Sequence, residues 1–159
     1  MGVLPLDRIP INSGSHKITI LNSLYLPYET EVVIKDSIQY DLRVNDLIQN
    51  YAIVTVKTVG DSEILIDNEP KGAGSWTGPL ILGEHTIECR KESHRSTLRT
   101  INLNSTNSIT YNCEPPTPIY GTIEVTSTPS DAEVYLDGVL IGTTPFVSQT
   151  ILVGKHKVR

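Results

Sequence analysis

Short segments in which apolar and polar residues alternate make up most of the chain. Alternation with β-branched residues at the apolar positions is typical of strands that bury one face. The clearest examples are Val32-x-Ile34, Val54-x-Val56, Ile64-x-Ile66, Ile109-x-Tyr111, Ile123-x-Val125 and Val134-x-Leu136. Apolar residues with helical spacing are confined to residues 40–50, where the pattern is weak. The chain is therefore predicted to be all-β, with little helix.

Turn signals divide these segments into hairpins. Asp137-Gly138 joins two apolar runs, and Asp67-Asn68 holds the same place earlier in the chain. Both dipeptides suit a type I′ turn, which needs positive φ at its two central residues. Strands are predicted in the middle of the chain near residues 52–58, 63–67, 79–81, 84–91, 97–103 and 108–114. Short strands about every 10 residues predict a small antiparallel β-sandwich of the immunoglobulin or transthyretin kind.

A glycine followed two residues later by a histidine occurs three times, at intervals of 69 and 71 residues. The copies are Gly14-Ser15-His16, Gly83-Glu84-His85 and Gly154-Lys155-His156. Residues 61–67 also recur at 131–137, an offset of 70, so the chain is predicted to hold tandem sandwich repeats of about 70 residues. Residues 1–48 are the later part of a first repeat, 49–116 a complete repeat and 117–159 the earlier part of a third.

Both ends of the chain fall inside a predicted repeat, so the sequence is expected to be a piece of a longer protein. Residues 1–48 lack opening strands and residues 117–159 lack closing strands, so head-to-tail self-association between molecules is expected. Residues 114–121 contain three prolines, which predict an extended, semi-rigid connector.

Composition excludes few classes of protein. The 159 residues are 38% hydrophobic and 19% charged, as in ordinary globular proteins. A net charge of −5 argues against nucleic acid as a partner, because phosphate binding needs a basic surface. No apolar run reaches the roughly 18 residues of a membrane-spanning helix. Residues 1–6 lack the features of a signal peptide, so any export signal is expected upstream of this sequence.

The histidines at the same phase of each repeat, His16, His85 and His156, are candidate metal ligands. They are a full repeat apart, however, and no cluster of Cys, Asp or Glu with ligand spacing accompanies them. A structural role at the entry of a strand is therefore predicted. We expect no bound metal and no cofactor.

Acidic residues offer a second candidate site. Asp61, Glu63 and Asp67 alternate along a strand and its turn without the loop spacing of a calcium site, so they are predicted to face solvent. Ser93 and His94 are adjacent, and adjacent strand residues point to opposite faces, so they do not suit a nucleophile and its base. The chain is predicted not to be an enzyme.

Trp76, the single tryptophan, is flanked by glycines and is a candidate platform for a sugar ring. Counting back from the repeated glycine places Leu6, Trp76 and Phe146 in the same slot, which favours a core plug between the sheets. The alternative is a carbohydrate-binding module in which Trp76, Tyr51 and Tyr120 contact the glycan.

Basic residues cluster around His94, with Glu92 as the one opposing charge in that stretch. They are Arg90, Lys91, Arg95 and Arg99. The cluster is a candidate contact for an anionic glycan or a cell-envelope polymer, and the alternative is a solvated surface.

The two cysteines, Cys89 and Cys113, are both predicted to point inward from their strands. The matching positions in the first repeat hold the apolar residues Ile20 and Leu42, which indicates that both cysteines occupy core positions. Both a buried thiol pair and a disulfide fit this placement.

Three motifs of the last repeat together resemble the PEGA domain of bacterial and archaeal surface proteins. They are Pro129-Ser130-Asp131-Ala132-Glu133-Val134-Tyr135-Leu136-Asp137-Gly138, Gly142-Thr143-Thr144-Pro145 and Gly154-Lys155-His156-Lys157-Val158. The resemblance is close over 121–158, extends over 54–103 and is weaker over 5–42. Asp131 stands where the motif has glycine. The resemblance implies a small β-sandwich in extracytoplasmic, often tandem, arrangements, with no catalytic residue or cofactor to carry over.

The function expected from these observations is a non-enzymatic module at the cell surface or in the periplasm. It would act as a spacer, or as a binding or adhesion scaffold for a glycan, an envelope polymer or a protein. The alternatives are the carbohydrate-binding module and a non-catalytic appendage of an enzyme that lies outside this sequence.

Overall fold

The computed structural model describes residues 10–36 and 38–159, and these residues form strands and connecting loops without a helix. The strands are β1 (Gly14–Asn22), β2 (Tyr25–Ile34), β3 (Tyr51–Lys57), β4 (Glu63–Ile66), β5 (Glu69–Ala73), β6 (Ser75–Ile81), β7 (Gly83–Arg90), β8 (His94–Arg95), β9 (Thr97–Leu103), β10 (Ile109–Asn112), β11 (Thr117–Pro118), β12 (Tyr120–Val125), β13 (Glu133–Leu136), β14 (Val139–Thr143) and β15 (Phe146–Leu152). The all-β prediction is confirmed. None of the described elements is a helix that would cross a bilayer.

Two sheets face each other in the middle of the chain. One contains three strands in the order β10-β3-β6, and the other contains four in the order β5-β4-β7-β9. Alternate residues of both sheets point into a shared core, as the period-two pattern requires. The buried residues are Ala52, Val54, Val56, Ile64, Ile66, Leu80, Ile87, Cys89, Ile101 and Leu103. These strands, here called the middle sandwich, have the predicted fold.

One pairing differs from the antiparallel arrangement that the sequence predicts. β10 runs parallel to β3, with Ile109 opposite Val54. β9 belongs to the four-stranded sheet and β10 to the three-stranded sheet, so residues 104–108 carry the chain from one sheet to the other. The direction of β10 therefore follows from this crossing and not from a hairpin turn.

The two predicted I′ turns have the required backbone. Asp67 and Asn68 have φ of 52° and 66°, and Asp137 and Gly138 have φ of 51° and 86°. Each turn joins an antiparallel hairpin, β4 to β5 and β13 to β14. The prediction for the middle sandwich missed β5 and shortened β6, because residues 69–78 contain glycine and proline and show little alternation.

β1 and β2 precede the middle sandwich in the chain, and β12–β15 follow it. β1 and β2 form a hairpin in which Val32 is buried. β12 pairs with β15 and β13 with β14, and Val158 forms a bridge with Leu136. We call β12–β15 and the residues up to 159 the third unit. The division into repeats at 48/49 and 116/117 stays a prediction.

Asp131, the departure from the PEGA motif, has φ of 64°. This is the left-handed region, which glycine enters freely and which Asp tolerates better than most residues. The substitution therefore keeps the backbone that the motif's glycine suits.

Candidate functional site

His85 connects two turns at one end of the middle sandwich. Its Nδ1 lies 2.7 Å from Oδ2 of Asp67 in the β4–β5 turn, and its Nε2 lies 2.8 Å from the carbonyl oxygen of Ile81 at the end of β6. The other carboxylate oxygen of Asp67 accepts a 2.8 Å hydrogen bond from the backbone N–H of Thr86. The His85 side chain is only 7% exposed. The contact, here called an Asp–His pair, therefore ties the two turns to the start of β7.

The contacts of His85 favour its protonated form. A carboxylate and a carbonyl oxygen only accept hydrogen bonds, and the charged imidazolium can donate to both of them, one from each ring nitrogen. Partial burial lowers the pKa of His85, but the bonds with Asp67 and the Ile81 carbonyl outweigh it and raise this pKa above its ordinary value. Burial raises the pKa of Asp67, and the bonds from His85 and Thr86 outweigh it and hold this pKa low. Each partner thus favours the charged form of the other.

The third unit contains a second Asp–His pair. Nδ1 of His156 lies 2.7 Å from Oδ2 of Asp137, its Nε2 bonds the carbonyl of Leu152, and the N–H of Lys157 donates to Oδ1 of Asp137. The bond with Asp137 is the main cause that raises the pKa of His156, and the same bond lowers that of Asp137. This pair is more exposed, with 26% of the His156 side chain accessible.

His16 shares one of these contacts. Its Nε2 lies 2.8 Å from the carbonyl oxygen of Asn12, four residues earlier, which is the spacing of Ile81 to His85 and of Leu152 to His156. In all three places the glycine two residues before the histidine has positive φ, between 133° and 150°. The recurring Gly-x-His motif therefore marks a turn that the histidine ring closes.

The partner of His85 was not predicted from the sequence. Asp67 was predicted to face solvent, and its side chain is indeed 48% exposed, but its Oδ2 atom contacts the His85 ring. The available signal was the recurrence of the acid and the histidine together, because Asp67 precedes His85 by 18 residues and Asp137 precedes His156 by 19.

A junction connects the β1–β2 hairpin to the middle sandwich through Asn50, the residue before β3. Asn50 N–H donates to the carbonyl of Leu24, and its own carbonyl accepts from the N–H of Leu82, at 3.0 and 2.9 Å. Tyr25 also forms a bridge with Gln49. Leu82 lies in the turn that His85 closes, so the Asp–His pair supports this junction.

A second junction, between the middle sandwich and the third unit, has the same bonds. Ile119 N–H donates to the carbonyl of Ser93, and its carbonyl accepts from the N–H of Val153, again at 3.0 and 2.9 Å. Pro118 pairs with His94 as Gln49 pairs with Tyr25. The predicted proline-rich connector is thus extended, and it is docked through β11 on β8.

A shallow cavity of about 280 Å³ lies at the first junction, between the β1–β2 turn and the Asp–His pair. Ser23 and Leu24 line one side, and Asp67, Ile81 and His85 line the other. The ring of His85 and the turn of the β1–β2 hairpin therefore line the same cavity.

Two of the four cations in the predicted basic cluster are paired with carboxylates. Arg90 Nε lies 2.9 Å from Glu63, and Lys91 Nζ lies 2.7 Å from Asp61. Only Glu92 was expected to oppose these cations, because Glu63 and Asp61 are 27 and 30 residues away from their partners in the chain.

The other two cations of the cluster occupy different surroundings. Arg99 stacks over the ring of Tyr111, with its guanidinium carbon 5.7 Å from the ring centre, and Arg95 is exposed on β8. Binding of an anionic polymer to this cluster stays a prediction.

Trp76 packs against the core cluster with part of its surface exposed. Its ring covers Gly78, where an added Cβ would lie 2.5 Å from the ring. Tyr51 packs edge-on against Tyr25, with ring centres 5.9 Å apart, and Tyr120 is exposed on β12. The aromatic residues proposed as a glycan platform therefore lie in three separate places. Leu6, proposed for the same slot as Trp76, lies outside the described residues.

Cys89 and Cys113 form a disulfide between β7 and the residue that follows β10, with Cα atoms 6.6 Å apart. Cys89 is fully buried, and Cys113 packs against the core. The structure thus selects the disulfide from the two alternatives that the sequence left open. The bond joins the two facing sheets.

Comparison with known proteins gives a family match for the last part of the chain. Residues 120–159 match the family model of the PEGA domain. No curated protein and no solved structure matches the chain significantly. The PEGA family is often found in extracellular or surface proteins. The resemblances over 54–103 and 5–42 stay predictions.

Proposed function

We propose that this chain, which carries a PEGA domain at residues 120–159, is a non-enzymatic spacer that holds neighbouring parts of an extracytoplasmic protein at fixed separations and angles. The observation that carries the proposal is the recurrence of the same backbone hydrogen bonds at both junctions. They involve Asn50 at the first junction and Ile119 at the second.

The junction geometry supports a stiff connection. At each junction one residue uses both its N–H and its carbonyl to bridge the preceding turn and the following unit. A residue bonded on both sides has less rotational freedom than a residue in a solvated linker. The Asp–His pairs add to this stiffness, since His85 fastens the turn that contains Leu82.

The chemistry of the recurring histidines supports a structural role. Both ring nitrogens of His85 and of His156 lie against oxygen atoms of the chain, and in the protonated ring neither nitrogen has a lone pair available for metal binding or for base catalysis. The Cys89–Cys113 disulfide supports an extracytoplasmic location, because such bonds persist in oxidising compartments.

Residual dipolar couplings of the full chain test the stiffness of the second junction. We expect the middle sandwich and the third unit to report one common alignment tensor in the native protein. Ile119→Pro removes the N–H that donates to Ser93, and the two tensors should then diverge while each unit keeps its fold. Ile119→Ala keeps that N–H and is the matched control. Two independent tensors in the native protein would overturn the spacer proposal.

A further inference from the structure

The chain contains nine asparagines, and one of them, Asn104, is followed two positions later by serine or threonine. The tripeptide Asn104-Ser105-Thr106 has the N-x-S/T form of an N-glycosylation acceptor. A tripeptide of this kind occurs by chance in many proteins. Its place in the fold decides whether it has a function.

The structure places this tripeptide on the loop that crosses between the two sheets. All five residues of the loop, 104–108, are exposed, whereas Leu103 just before them is buried. The loop residues belong to no strand. Within the described residues, the side-chain amide of Asn104 and the hydroxyl of Thr106 make no hydrogen bond. Both groups that a glycosylating enzyme must engage are therefore accessible in the folded chain.

We propose that Asn104 is the acceptor of an N-linked glycan. The donor would be an oligosaccharide joined to a polyisoprenyl phosphate or pyrophosphate. The amide nitrogen of Asn104 forms a bond to C1 of the first sugar, and the bond between C1 and the phosphate oxygen breaks. The lipid phosphate leaves with the electron pair, and the amide proton passes to a base of the transferase. The Thr106 hydroxyl serves recognition of the acceptor.

The glycan would lie at the end of the middle sandwich that faces the first junction. β9 ends with Leu103 opposite Gly83, and Leu82 next to it bonds Asn50. A bulky polar chain at this position would cover the joint without entering the core, because the loop itself is fully exposed. In the cell, the modification rests on the extracytoplasmic location proposed above.

The test uses the folded chain with its disulfide intact. It is incubated with an oligosaccharyltransferase that accepts N-x-S/T acceptors and with a polyisoprenyl-pyrophosphate oligosaccharide, and its peptides are analysed by mass spectrometry. We expect the glycan mass on the peptide that contains Asn104. Ser105→Ala keeps the acceptor motif and should be modified equally, and Thr106→Val removes the hydroxyl and should reduce occupancy at least tenfold.

A second variant separates accessibility from sequence. Glu114→Thr creates a new acceptor motif at Asn112, which lies in β10 opposite Lys57 and is followed by the disulfide-bonded Cys113. We expect this site to stay unmodified in the folded chain and to be modified after reduction and unfolding.

Two outcomes would overturn the proposal. One is a folded native chain that stays unmodified although the reduced, unfolded chain is modified at Asn104. The other is equal modification of Asn112 and Asn104 in the folded Glu114→Thr variant. The reaction in solution does not depend on where the protein resides or on its junctions, so its failure leaves the spacer proposal to its own test.

Discussion

The variant His85→Gln tests how much the Asp–His pair of the middle sandwich stabilises the fold. Glutamine is polar and of similar length, but it carries no charge, and its one amide nitrogen cannot occupy the positions of both ring nitrogens, which face Asp67 and the Ile81 carbonyl. The variant should fold, since the ten residues of the core cluster are unchanged. It should unfold more easily than the native protein.

The expected decrease in the free energy of unfolding follows from the contacts that the variant loses. A hydrogen bond to a charged group contributes about 1.5–3 kcal/mol to stability. The Asp67 side chain is 48% exposed, so water replaces part of the lost contact and the lower end of this range applies. Loss or weakening of the second bond, to Ile81, adds up to about 1 kcal/mol. We expect the free energy of unfolding to fall by about 2 kcal/mol.

The stabilisation that the Asp–His pair provides should depend on pH. The pKa of His85 is raised above its ordinary value of 6.5, so its contribution is complete below pH 6.5 and is lost as the pH rises through the folded value. The pKa of Asp67 is lowered below 3.8, so its contribution is present above pH 3.8 and is lost as the pH falls through the folded value. The difference between the native protein and His85→Gln should be largest between these two ordinary values.

Urea unfolding followed by tryptophan fluorescence measures this difference, because Trp76 is the single tryptophan and lies in the middle sandwich. His156→Gln is the matched control. It breaks the equivalent pair in the third unit and should leave the Trp76 transition nearly unchanged. A difference between the native protein and His85→Gln that stays constant from pH 5 to pH 9 would refute the imidazolium assignment.

Three further predictions concern the other side chains of the middle sandwich. Replacing Cys89 and Cys113 together by valine removes a crosslink between residues 24 apart and should lower the free energy of urea unfolding by about 3 kcal/mol; equal urea midpoints with and without reductant would contradict this. Trp76→Ala should lower stability by about 2–3 kcal/mol in a thermal melt followed by circular dichroism, because the ring is partly buried; a glycan platform would instead lose glycan binding with an unchanged melt. The double variant Arg90→Ala, Lys91→Ala should melt at the native temperature, because both ion pairs are exposed. Calorimetry with an anionic polysaccharide should give equal heats for the native protein and the variant. A smaller heat for the variant would show that the basic cluster is a binding site.

Local features of this protein could be predicted from the sequence. Alternation in Val54-x-Val56 and Ile64-x-Ile66 located the core strands, since the side-chain period of a strand is a property of the backbone itself. Asp67-Asn68 and Asp137-Gly138 located the hairpin turns, because few residues tolerate positive φ. The repeated Gly-x-His motif was predicted to lie at strand entries, and two of its copies begin β1 and β7.

Contacts between distant parts of the chain were decided by the tertiary structure. Glu63 neutralises Arg90 because the register of β4 against β7 places the two residues opposite each other, and no local pattern encodes that register. The same holds for the bond between Asp67 and His85, for the disulfide and for the parallel entry of β10 beside β3. The junction bonds of Asn50 and Ile119 involve backbone groups, which every residue type carries, so side-chain chemistry leaves no trace of them in the sequence. Chain-local geometry could therefore be predicted from the residues, whereas partners across strands and junctions depended on how the sheets pair and pack.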